Sequence, residues 1–140
     1  MISLIHNINK SLKFHHTGVL VNNLQESILN YSLLFGAQAI SKIHDIKSQQ
    51  ITVCFVKISD DVYLELIQPN EGNTNYDKFL KKGINFYHIG FKCFDFEKTF
   101  ENLLKNDFRH ISTLCSEAFD NKRCAFFMSN ELHVIEIIEE

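Results

Sequence analysis

Tryptophan is absent from these 140 residues, proline occurs once and glycine five times. So few glycines leave little material for a nucleotide-cradling loop, and no G-x-S-x-G, phosphate-loop or Ser/His/Asp pattern is visible. Arginine is nearly missing: Arg109 and Arg123 stand alone, and Lys81-Lys82 is the one adjacent lysine pair. With a net charge of −3, this argues against a nucleic-acid surface, which clusters basic residues. Cys54, Cys93, Cys115 and Cys124 show no C-x-x-C spacing, and three of them fall in apolar runs, as buried thiols do. No apolar run approaches membrane-spanning length, and residues 1–10 are too short and polar for a signal peptide. The expectation is a cytoplasmic protein with reduced thiols and neither membrane nor nucleic acid as partner.

What is present is a phenylalanine-rich chain, 45% hydrophobic with 13 Phe, of a size that suits one compact α+β domain. A histidine sits inside an apolar run at Phe86-Tyr87-His88-Ile89-Gly90, where a strand would bury it. The same F-x-H-x-G pattern occurs at Phe14-His15-His16-Thr17-Gly18, an offset of 88 − 16 = 72 residues. Phe55 and Phe126 are 126 − 55 = 71 apart, and Glu65 and Glu136 are 136 − 65 = 71 apart. A duplication that keeps polar residues in step is a stronger signal than one that keeps only hydrophobics.

Each copy reads as β-α-β-β-β. In the first, a strand spans Leu12 to Val21, and Asn23 caps a helix with the stripe Leu24, Ile28, Tyr31 and Phe35, which Gly36 ends. Strands follow over Ala37–Ile46, Ile51–Ile58 and Val62–Gln68, the last stopped by Pro69. The second copy gives a strand over Ile84–Cys93 and a helix capped by Asp95 with the stripe Phe96, Phe100, Leu103 and Leu104. Its remaining strands are Arg109–Cys115, Cys124–Met128 and Leu132–Ile138. The division is a lead over 1–11, a module over 12–69, a linker over 70–83 and a module over 84–140, together one domain.

Glu65 and Glu136 each lie in a short apolar strand, where an unpaired carboxylate costs several kcal/mol to bury. Singly, a strand histidine reads as a hydrogen-bonded core residue and a strand glutamate as a solvated one. Two imidazoles and two carboxylates in duplicated register change that. His16, Glu65, His88 and Glu136 would converge if the repeats are related by a pseudo-two-fold axis. They would then form a divalent-metal site with positions open to water or substrate. His15 and His133 point to the opposite faces of their strands, and His6, His44 and His110 read as solvated near ends or loops.

Three segments carry a resemblance: Phe14 to Leu24, Val62-Tyr63-Leu64-Glu65-Leu66-Ile67-Gln68-Pro69, and Tyr87-His88-Ile89-Gly90-Phe91. Together with Lys122–Phe127 and Val134-Ile135-Glu136, they are similar to the vicinal oxygen chelate (glyoxalase/bleomycin resistance/dioxygenase) superfamily. The likeness covers nearly all of residues 12–139. It implies two tandem βαβββ modules forming a cupped sheet around a metal site, usually in a homodimer. The ligands would be His16, Glu65, His88 and Glu136, holding Zn, Co, Ni or Mn. The sequence looks most like methylmalonyl-CoA epimerase, with lactoylglutathione lyase (glyoxalase I) the rival that shares the His/Glu/His/Glu order. The implied chemistry is isomerase, epimerase or lyase: proton abstraction next to a carbonyl, a metal-stabilised enolate, and Glu136 as the ligand that shuttles the proton. Substrates would be acyl-CoA or thiol-adduct molecules. The epimerase carries an acid just before its third strand, and the position aligned with it here is Ser48. That departure keeps open a non-catalytic binding or resistance protein of the same fold. Fe(II) oxygen chemistry, which needs three protein ligands, is disfavoured by the second glutamate.

Overall fold

The computed structural model describes residues 11–140. Among the described residues, eight strands and three helices follow in order. They are β1 (Leu12–Leu20), α1 (Leu24–Phe35), β2 (Ile40–Ile46), β3 (Ile51–Ser59), β4 (Val62–Pro69), α2 (Asp77–Lys81), β5 (Phe86–Cys93), α3 (Phe96–Lys105), β6 (Arg109–Ser116), β7 (Lys122–Met128) and β8 (Val134–Glu139). The described residues divide into two compact units, one of residues His16–Tyr87, the other of residues 11–15 together with His88–Glu140.

In the unit His16–Tyr87 the strands lie in the order β2-β3-β4-β1. β2, β3 and β4 form an antiparallel meander, and β4 returns parallel to β1. A parallel return needs a long crossover, here begun by α1. Asn23 starts that helix by accepting a hydrogen bond from the Glu26 N–H at 3.0 Å, and Gly36 ends it at φ 93°, a conformation glycine adopts without steric cost. Leu24 buries against Cys54, Val56 and Leu66, with Ile28, Tyr31, Val19 and Ile40 packed around them. This face of the sheet is therefore the apolar core, each full burial of a Leu, Ile or Val side chain contributing about 1.5–3 kcal/mol.

The other unit repeats the plan, with strands in the order β5-β8-β7-β6. β8 pairs parallel with β5, and β6, β7 and β8 are antiparallel. Asp95 caps α3 by accepting from the Lys98 N–H at 3.1 Å. Phe96 and Leu103 pack with Cys93, Ala125, Phe127 and Ile137, joined by Leu12 and Phe100. Burial pushes the Cys93 thiol up to about 11, Cys54 is shifted the same way for the same reason, and Cys124 is buried while Cys115 is exposed. On the rim, Arg123 pairs with Glu139 and Glu97 and lies 4.4 Å over the Phe96 ring, and its hydrogen bonds hold the Glu139 carboxyl below the usual range.

Several sequence-derived bounds shift, β7 for one starting at Lys122 rather than Cys124. Residues Ala37–Ala39 form a 3-10 turn, so β2 starts at Ile40 rather than Ala37. Pro69 ends inside β4, paired with Ile51 at the strand's last position, where a missing N–H is tolerated. Ile84 and Asn85 precede β5, where Ile84 donates its N–H to the Phe79 carbonyl and closes the end of α2. Leu132 and His133 belong to the β7–β8 turn rather than to the last strand. There the Leu132 N–H bonds the Ser129 carbonyl, and its φ of 68° is incompatible with a strand.

Candidate metal centre

Strand periodicity decides which side chains share a face. Along β1, residues alternate between the two faces, so His16 and Gly18 project together, away from the Val19 side that packs on α1. Lateral partners in a sheet share a face. Glu65 lies opposite Gly18 on β1 and opposite Phe55 on β3. The face opposite α1 thus carries His16, Glu65, Phe55 and Tyr63. His16 Nε2 lies 3.4 Å from Glu65 Oε1, and both residues are buried, at 0% and 5% exposure.

The second unit builds the same arrangement from its own strands. Glu136 lies opposite Gly90 on β5 and opposite Phe126 on β7. His88 Nε2 lies 3.1 Å from Glu136 Oε1, with both residues again buried, at 2% and 4% exposure. The phenylalanines serve matching roles: Phe55 packs edge-on to His16 at 5.8 Å, and Phe126 edge-on to His88 at 5.6 Å. The F-x-H-x-G pattern now has a physical reading. The histidine occupies the face, and the glycine two residues later leaves space beside the carboxylate of the neighbouring parallel strand.

The donor chemistry fits a divalent cation. Each of the four residues can offer one ligand atom, and two imidazole nitrogens with two carboxylate oxygens is a set that Zn, Co, Ni and Mn accept. A carboxylate buried beside an imidazole bears a desolvation cost that a bound cation would offset.

The model of the glyoxalase/bleomycin resistance protein/dioxygenase superfamily matches residues 15–126. The chain belongs to that superfamily. Among solved structures, the superfamily member here is similar to methylmalonyl-CoA epimerase from Mycobacterium tuberculosis. The identity is 19% and the TM-score 0.76, over 90% of this chain and 86% of that one. A Streptomyces coelicolor methylmalonyl-CoA epimerase variant, solved in complex with 2-nitronate-propionyl-CoA, matches at 17% identity and TM-score 0.77, over 93% and 95% of the two chains. Hypothetical protein BH1468 from Bacillus halodurans C-125 matches at 20% and 0.75, over 93% and 95%. At such identities these likenesses show the fold: the α+β glyoxalase-like fold of two βαβββ modules. No curated protein sequence matches the chain.

The remaining candidates fall elsewhere. His6 lies outside the described residues. His15, half-buried on β1, packs its ring on Phe119 at 5.5 Å. His110 is exposed, packs its ring tilted against Phe100 at 5.0 Å and meets the Thr113 hydroxyl at 2.7 Å. His133 is exposed in the turn before β8. Ser48 is exposed in the turn between β2 and β3. His44 departs from the sequence reading: it lies inside β2, half-buried, with its ring 6.2 Å from Phe55.

Proposed function

We propose that this chain is a divalent-metal-dependent enzyme that moves a proton on and off a carbon next to a carbonyl, in the manner of methylmalonyl-CoA epimerase. His16, Glu65, His88 and Glu136 would serve as ligands of one ion. The observation that carries this reading is the duplicated buried His–Glu pair, set by equivalent strands of two repeats. A divalent cation held there supplies Lewis-acid polarisation of the substrate carbonyl. The two imidazoles act as neutral nitrogen donors, and Glu65 balances charge. Glu136 has the further task of proton transfer: its carboxylate would accept the proton from the carbon next to the carbonyl. The apolar strands around both pairs exclude water, which strengthens each electrostatic contact.

The bound 2-nitronate-propionyl-CoA of the Streptomyces coelicolor relative supports an acyl-CoA substrate. A glyoxalase I reading, with a glutathione hemithioacetal as substrate, is supported by the carboxylate at Glu65, which gives the His/Glu/His/Glu order. No described helix is long and apolar enough to cross a membrane. A cytoplasmic homodimer is the state proposed, checked by sedimentation.

The test joins elemental analysis to isotope exchange. Purified protein should carry a divalent metal, and Glu65→Gln and His88→Ala should bind it at least about tenfold more weakly. Metal-loaded protein should then exchange the proton next to the carbonyl in D2O, with methylmalonyl-CoA for the epimerase reading or a glutathione hemithioacetal for the glyoxalase I reading. Wild type that binds no metal sinks the ligand assignment. Loaded protein that exchanges neither probe leaves a binding protein.

A further inference from the structure

Where β2 meets β3, one of the contacts that hold the two strands together comes from a side chain. Ile40 pairs with Val56 and Ile43 with Cys54, so two residues, Ser41 and Lys42, stand against Phe55 alone. Such a bulge disrupts the backbone ladder locally. Ser41 repairs it. Its hydroxyl accepts the Phe55 N–H at 2.8 Å and donates to the Lys42 carbonyl at 2.8 Å. The Ser41 carbonyl in turn accepts from the buried Cys54 thiol at 3.3 Å. Phe55, the residue held in this way, is 7% exposed, lies opposite Glu65 and meets the His16 ring edge-on at 5.8 Å.

The extra residue also decides which way the rest of β2 faces. Ile40 packs with the α1 core, and Ile43, three residues on, lies opposite Cys54 of that same core. Strict alternation would put these two isoleucines on opposite faces. His44 is thereby turned to the face of His16, with its ring 6.2 Å from Phe55. All of these residues belong to the unit His16–Tyr87. The other unit supplies an internal comparison. Ser112 follows Ser41 by 112 − 41 = 71 residues, the separation of the two phenylalanines and of the two glutamates. Its strand β6 also carries a register shift, but there the extra residue is Ile111, and Ser112 stands opposite Phe126 in register. The serine is repeated, and in β6 it is an ordinary ladder partner.

We propose that Ser41 is a positioning residue of the metal centre, acting through Phe55 on His16; this rests on the ligand set proposed above. Without the hydroxyl, the buried Phe55 N–H loses its acceptor, a costly state that β2 escapes by slipping into strict pairing. The slip turns His44 off the shared face and loosens the Phe55 ring. His16 then lacks the ring that fixes its plane, and a ligand whose orientation is not fixed holds an ion less tightly and in a less defined geometry.

The test titrates the full chain with Co(II), reading affinity by chelator competition and ligand geometry by the visible absorption bands of the bound ion. Wild type is compared with Ser41→Ala, Ser41→Thr, Ser41→Val and Ser112→Ala. Threonine keeps the hydroxyl and valine has its shape without it, and a strand accepts both, so this pair isolates the hydroxyl even if Ser41→Ala does not fold. Expected are a loss of Co(II) affinity of about tenfold and altered bands in Ser41→Ala and Ser41→Val, the usual size for a residue behind a ligand. Ser41→Thr and Ser112→Ala should keep both readouts at wild-type values. Wild-type affinity and bands in Ser41→Val, even with a lowered melting temperature, assign the hydroxyl a structural role alone and overturn the proposal. Equal losses in Ser41→Thr and Ser41→Val overturn it as well, since the hydroxyl would not be the cause. Wild type that takes up no Co(II) sinks the ligand set first and this proposal with it.

Discussion

A glycine beside each buried carboxylate is a small feature with a large consequence for the centre. Gly18 and Gly90 lie directly opposite Glu65 and Glu136, so neither carboxylate has a side chain next to it on that flank. Neither glycine has a positive φ, so the backbone does not require glycine there. What glycine changes there is that no Cβ stands beside the carboxylate. Gly90→Ala should therefore weaken metal binding by about tenfold or more, by crowding Glu136, an outer-residue effect of the usual size. Competition with a chromogenic chelator reads this directly; unchanged affinity would mean that the glycine has only a packing role. The four candidate ligands were legible in the sequence because each is a polar exception in an apolar strand and each has an echo. His44 was not legible. A β-bulge between Ile40 and Ile43 shifts the register of β2, so Ile40 packs toward α1 while His44, four residues on, faces the opposite side. Strict alternation puts those two residues together, and a one-residue slip moves a side chain across the sheet.

At the scale of elements, the helices followed from their caps and stripes, because Asn23 and Asp95 act locally through side-chain oxygens. The strand ends were less legible because turn geometry sets them, and turn geometry depends on φ values that composition does not reveal. The β7–β8 turn is the clearest case. Leu132 is 68% exposed and sits at φ 68°, a left-handed conformation that costs a residue with a Cβ about 1–2 kcal/mol. Leu132→Gly removes that strain, loses little packing, and gives back part of the gain through the freer unfolded chain. The expected net effect is a stabilisation of up to about 1 kcal/mol, seen as a rise in the urea midpoint at constant slope. Leu132→Ala, which keeps the Cβ, should show no such gain. Equal midpoints for both variants would remove strain as the reason this hairpin departs from the strand pattern.

At the scale of the whole molecule, the question is whether the two His–Glu pairs serve one ion or two. Each repeat contributes one imidazole and one carboxylate, which is half of a four-coordinate set, and two ligands alone hold a divalent ion weakly. A single shared ion therefore predicts one equivalent of metal per chain. It also predicts that Glu65→Gln and Glu136→Gln, on opposite repeats, each abolish most of the affinity. The linkage to stability has a definite size. Free metal at a hundred times its Kd should stabilise the chain by about 2.7 kcal/mol, a rise in melting temperature of roughly 8 °C for a chain of this length. A chelator should reverse that rise. If the ion joins the repeats, either Glu→Gln variant should lose the whole shift, in one cooperative transition. If each repeat held its own ion, metal would titrate to two equivalents, and each variant would keep about half of the shift. Two equivalents with half-effects would leave the duplicated pairs as separate weak sites and overturn the single metal centre proposed.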